Sequence, residues 1–100
     1  MIAKIEEIDG KYVATLEGEM DTAAAVEAEE VLKPIYNSNG KDVIIDCTNL
    51  EYIASSGLRI LLSILKGAKA NGSKVIMRDV NDDIMNVFKL TGFNTIFEFE

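Results

Sequence analysis

Two adjacent serines, Ser55 and Ser56, stand directly before Gly57 and an apolar segment with helical spacing, and they are the residues through which this chain can do chemistry. Backbone amides in the first turn of a helix lack intrahelical acceptors and carry the positive end of the helix dipole, so a hydroxyl or an added phosphate there finds donors. A serine pair at that point is either a helix cap or a phosphate acceptor. Nucleophilic catalysis is a poor third choice. The chain has no histidine and a single cysteine, Cys47, which removes Ser-His-Asp and Cys-His mechanisms, histidine acid/base work and most zinc sites together. With no plausible lysine base and no metal-ligating cluster, nothing activates the serine for enzyme work, and no metal or other cofactor is expected.

Composition narrows the partners. Net charge is −7, and the ten Lys and Arg are scattered instead of clustered as a phosphate backbone would require, so nucleic acid is not an expected partner. No apolar run approaches the roughly 18–20 residues that span a bilayer, and the opening MIAKIEEIDG is acidic where a signal peptide is basic. These features predict a soluble cytoplasmic protein without a membrane partner. Cys47 follows an apolar run with no cationic neighbour in sequence and reads as an inert packing residue. Asn71-Gly72-Ser73 has the spacing of a glycosylation acceptor, but without a secretory signal it reads as a turn.

The elements that must position the serines can be followed along the chain. Alternating segments over 2–8 and 11–17 flank Asp9-Gly10, the strongest short-range signal of a β-hairpin. After Gly18-Glu19-Met20-Asp21-Thr22 the pattern turns helical, with Asp21 or Thr22 as cap and Ala25, Ala28, Val31, Leu32 and Ile35 on one face; Pro34 predicts a kink or an end near Lys33. Val43-Ile44-Ile45 reads as a strand buried on both faces. The helix after the serines buries Leu58, Leu61, Leu62, Leu65 and Ala68, widened by Ile60 and Ile64, and stops at Asn71-Gly72. A strand over 74–78, a third helix capped by Asn81 or Asp82 and closed by Gly92, and a last alternating strand over 95–99 complete the chain.

This order, ββαβαβαβ, predicts one α/β domain over residues 1–100: a mostly parallel sheet with an antiparallel edge strand and helices packed on it. Functional groups in such sheets gather at the carboxyl ends of the strands. The loop from Gly18 to Thr22 and the loop from Thr48 to Ser56 should therefore lie side by side, bringing Asp21 near Ser56.

Four stretches in this order resemble the STAS domain of bacterial anti-sigma factor antagonists, which is also found appended to sulfate transporters. Gly18-Glu19-Met20-Asp21 resembles the family's G-E/R-L/M-D turn, Val43-Ile44-Ile45-Asp46 its central strand, Ser55-Ser56-Gly57-Leu58 its D-S-S-G-L signature and Leu90-Thr91-Gly92-Phe93 its L-x-G-L/F turn. The resemblance implies that Ser56 is the phosphorylation site, with Asp21, Ser55 and Gly57 around it. It also implies two partners: an anti-sigma factor with serine kinase activity, bound only by the unphosphorylated antagonist, and a phosphoserine phosphatase. Ala54 stands where the signature has Asp, which removes a carboxylate beside the acceptor hydroxyl. The expected partner surface comprises Asp21, Thr22, Ala54, Ser55, Ser56 and Arg59. Two other readings remain. The same fold could serve a different assembly, such as a transport complex or a stress sensor. Alternatively, Asp46 at a strand end could be the phosphorylated aspartate of a receiver domain, although the acidic pair and the lysine that such domains need are missing.

Overall fold

The computed structural model describes residues 1–100. Strand β1 (Ile2–Ile8) and β2 (Lys11–Met20) form an antiparallel hairpin. Asp9 and Gly10 both take positive φ, 52° and 76°, which is what the two-residue turn matched to strand twist demands. Helix α1 (Thr22–Leu32), β3 (Val43–Ile53), α2 (Ser55–Ala70), β4 (Val75–Arg78), α3 (Asp82–Thr91) and β5 (Glu98–Phe99) follow. The five strands pair in chain order, with β2 to β5 parallel. This is the α/β architecture expected from the sequence.

Strand pairing decides which side chains meet the helices. Ala14, Leu16, Val43, Ile45, Cys47, Val75 and Met77 occupy one face and form a single core with Ala25, Ala28 and Leu32 of α1, the apolar stripe of α2, and Ile84 and Phe88 of α3. The intervening positions carry Thr15, Asp46 and Arg78, with Val13 and Ile44, each 7% exposed, lying outside that cluster. Ile44 is thus buried as expected, while the second face of the sheet is largely polar. On α1, Val31 departs from the expected buried stripe and is 40% exposed, because it sits at the margin of the stripe beside a hollow lined by Met1, Ile2 and Ala3. Leu62 is likewise only partly buried against the core.

One boundary falls where Pro34 places it, and another departs from the expected strand. Helix α1 stops at Leu32, and Lys33–Tyr36 continues as a 3₁₀ turn with Pro34 in its first positions, where a missing N–H costs nothing. The expected strand over 95–99 is reduced to Glu98–Phe99. After Gly92, which is left-handed at φ 79°, Phe93–Thr95 forms a 3₁₀ turn that brings Phe93 and Phe97 to 6.3 Å from the ring of Phe88, so aromatic packing overrides alternation.

The largest correction concerns the two loops expected to carry the site. Gly18–Met20 and Thr48–Ile53 are not loops; they extend β2 and β3 as a continued parallel ladder from Glu17↔Asn49 to Met20↔Ile53. The register shifts between Thr15 and Glu17 and between Gly18 and Glu19, each time with an additional residue on β3. Each bulge breaks the period of two, so Cys47, Leu50 and Ile53 are buried at intervals of three with exposed pairs between them.

Candidate functional site

The site is built where β2 and β3 end together. Met20 pairs with Ile53, and the amide of Ala54 donates to the carbonyl of Met20 at 2.8 Å, so Asp21 and Ala54 leave the sheet as neighbours and the helices α1 and α2 begin side by side. Gly57 lets α2 descend onto these strand ends. A Cβ at that position would lie 2.5 Å from Sδ of Met20 and 2.8 Å from Cγ1 of Ile53.

The three helix starts are not alike. The Asp21 carboxylate caps α1, accepting from the Ala24 amide at 2.8 Å, and Asn81 caps α3, accepting from the Ile84 amide at 2.9 Å. At α2 the cap residue is Ala54, whose side chain can accept nothing. Neither serine is therefore the cap: Ser55 and Ser56 are the first and second helical residues. Ser55 is exposed. Ser56 is half-buried, and its hydroxyl oxygen is shielded from solvent without any hydrogen-bond partner. Leaving a shielded hydroxyl unpaired costs about 1–3 kcal/mol. The expected neighbour Asp21 is at the adjoining strand end, but its carboxylate serves α1 and does not reach the Ser56 hydroxyl.

Between α1 and α2 runs an open groove of about 200 Å³, lined by Thr22, Ala25, Val26, Glu29, Ser56, Arg59, Ile60 and Ser63. It joins three of the residues expected from sequence, Thr22, Ser56 and Arg59, and adds others that the sequence reading did not single out. Val26 is 66% exposed, an apolar residue off the buried stripe of α1, and that misplacement was the signal available in the sequence. Glu29 is held by the phenol of Tyr36, which donates to Oε2 at 2.8 Å; burial first, then this bond and the Glu29 charge, push the Tyr36 hydroxyl up to about 12. Arg59 is exposed and pairs with no carboxylate of the protein.

Other candidate groups are occupied elsewhere. Burial pushes the Cys47 thiol up to about 12, as fits an inert core residue. Asp46 accepts from the amide and the hydroxyl of Thr48 at 3.0 and 2.6 Å; partial burial raises its carboxyl, but these two bonds and Arg78 outweigh it and hold the group below its usual range. No three His, Cys, Asp or Glu side chains come together to hold a metal ion, and no helix is long and apolar enough to cross a membrane.

Residues 3–100 match the sequence pattern of the STAS domain. The chain belongs to the STAS domain family. This STAS domain is 30% identical over 88 residues to the anti-sigma-B factor antagonist of Staphylococcus aureus, a match covering 88% of the chain and 82% of the relative. An anti-sigma-factor antagonist (STAS) domain protein from Planctomyces limnophilus shares the fold with a TM-score of 0.85 at 13% identity, covering 97% of this chain and 87% of that one. The Bacillus cell fate determinant SpoIIAA, solved in its phosphorylated form, matches with a TM-score of 0.75 at 18% identity, covering 99% and 91%. STAS domains of this type are regulatory binding proteins, and the chain is not an enzyme.

Proposed function

We propose that this STAS domain is an anti-sigma factor antagonist of the bacterial cytoplasm whose switch is the Ser56 hydroxyl. Unmodified, it binds an anti-sigma factor that is also a serine kinase, and the sigma factor is released. In the modifying step, Oγ of Ser56 attacks the γ-phosphorus of ATP held by that partner. The new P–O bond forms as the β–γ bridge breaks, ADP leaves, and the hydroxyl proton passes to a base of the partner. The phosphorylated domain lets go, and a separate phosphatase hydrolyses the ester.

The observation that carries this reading is the unpartnered Ser56 hydroxyl in the first turn of α2, beside a groove open to a docking protein. Nothing in the fold depends on a bond from that oxygen, so it is free to rotate outward and be modified. A phosphoserine adds about −1.5 to −2 charge at pH 7 and three acceptor oxygens, which alter the groove that the partner must enter. The supporting facts from relatives are the name of the S. aureus protein and the persistence of the fold in phosphorylated SpoIIAA. The partner surface in this reading is Asp21, Thr22, Ala54, Ser55, Ser56 and Arg59, to which the groove adds Val26.

The test is capture of partners from cell extract with the wild type, Ser56→Ala and Ser56→Asp. Wild type and Ser56→Ala should retain a kinase-like anti-sigma factor and Ser56→Asp should lose it. Equal retention by all three would sink the switch.

A further inference from the structure

The groove beside Ser56 holds one cation, Arg59, and one anion, Glu29. Arg59 lies three residues after Ser56 on α2, a spacing that puts two side chains on neighbouring turns of one helix face. Its guanidinium is exposed and forms no ion pair within the protein, whereas Glu29 is already engaged by the Tyr36 phenol. We propose that a phosphate on Ser56 is captured by Arg59 of the same chain, so that phosphorylation both adds charge to the groove and withdraws the guanidinium from the partner. The proposal rests on the reading of Ser56 as the phosphorylated residue and adds the means by which the switch acts.

The chemistry favours this pairing. A phosphate and a guanidinium form short charge-assisted hydrogen bonds, often two in parallel. The negative groups near the phosphate, Glu29 across the groove on α1 and Asp21 at the start of α1, both disfavour its dianion, which leaves Arg59 as the counter-charge within the groove. Before modification, Arg59 is an unpaired donor available to a carboxylate of the docking protein. After modification it is neutralised in place, and the protein keeps its fold.

Phosphoserine installed at position 56 during translation makes the test independent of any kinase. The phosphorus resonance is followed against pH in the otherwise wild-type chain, in Arg59→Gln and in Lys66→Gln, a control at an exposed lysine on the same helix. An unpaired phosphoserine has its second ionisation near pH 6, and an adjacent arginine lowers it. The midpoint should rise by about half a pH unit in Arg59→Gln and stay unchanged in Lys66→Gln. Identical midpoints in wild type and Arg59→Gln overturn the capture, as does an equal rise in the lysine control. Failure of the antagonist reading itself would be seen separately, as equal partner capture by wild type and Ser56→Asp.

Discussion

Gly67 passes so close to Tyr36 that a Cβ on the glycine would lie 1.6 Å from the Tyr36 carbonyl oxygen. The obstacle is backbone at the end of the 3₁₀ turn that follows α1, so that turn cannot yield without moving Ile35, which is buried. A glycine inside a helix ordinarily costs about 1 kcal/mol relative to alanine. Here it is the condition for seating α2. Gly67→Ala should destabilise the domain by about 3 kcal/mol, the upper part of the range for overpacking, measured by urea unfolding. A gain in stability, as at an ordinary helix glycine, would refute the close approach.

Ala54 has the backbone of a capping residue without the side chain. Its φ and ψ, −82° and 168°, nearly coincide with the −75° and 169° of Asn81, whose side chain does cap. Replacing Ala54 by Ser or Asp therefore needs no backbone change and should raise stability by about 1 kcal/mol. Ala54→Val, which supplies no acceptor, should not reproduce the gain; if Ala54→Ser also leaves the urea midpoint unmoved, the first-turn amides already have partners.

The Ser56 hydroxyl makes the opposite case. Removing a shielded, unpartnered hydroxyl relieves a cost, so Ser56→Ala should be neutral or stabilising by about 1 kcal/mol. A loss of more than about 1 kcal/mol would mean that the oxygen is bonded in solution.

Tyr36 supplies a prediction in alkaline pH. Its hydroxyl is raised from 10.0 to about 12 in the folded chain, so the folded state keeps the proton that the unfolded state releases. The resulting stability is complete below pH 10 and disappears as pH rises from 10 to 12. Cys47, raised from 9.0 to about 12, adds its own loss from pH 9 upward in every variant that retains it, wild type and Tyr36→Phe alike. The stability difference between wild type and Tyr36→Phe should thus narrow across this interval. A constant difference from pH 9 to 12 would mean that neither burial nor the Glu29 carboxylate raises the Tyr36 hydroxyl.

Much of the fold was legible because its signals are local. Asp9-Gly10, most of the stripe of α2, Asn81 and Gly92 each act within a few residues, and each does in the structure what its type implies. The upper halves of β2 and β3 were not legible, since bulges replace alternation with intervals of three and the polar residues Thr48, Asn49 and Glu51 imitate a loop. The shortened last strand was hidden by Phe97, whose packing on Phe88 depends on contacts distant in the chain. At the site, Ser56, Arg59 and Thr22 could be singled out in advance, and Val26 carried a signal in its place off the apolar stripe, whereas Glu29 required knowing how α1 lies against α2.

The extra residues of β3 act as spacers. Between Tyr12↔Val43 and Met20↔Ile53 the two strands cover the same stretch of sheet with unequal lengths of chain, yet finish flush. Sliding the serines past Asp21 therefore requires no change in a loop or in any site residue; deleting one spacer at Thr48 or Glu51 would draw Ser56 back by a strand step while leaving every contact group spelled as before. Within this family such a deletion would be a route to a different partner geometry, written in the length of a strand instead of the identity of a side chain.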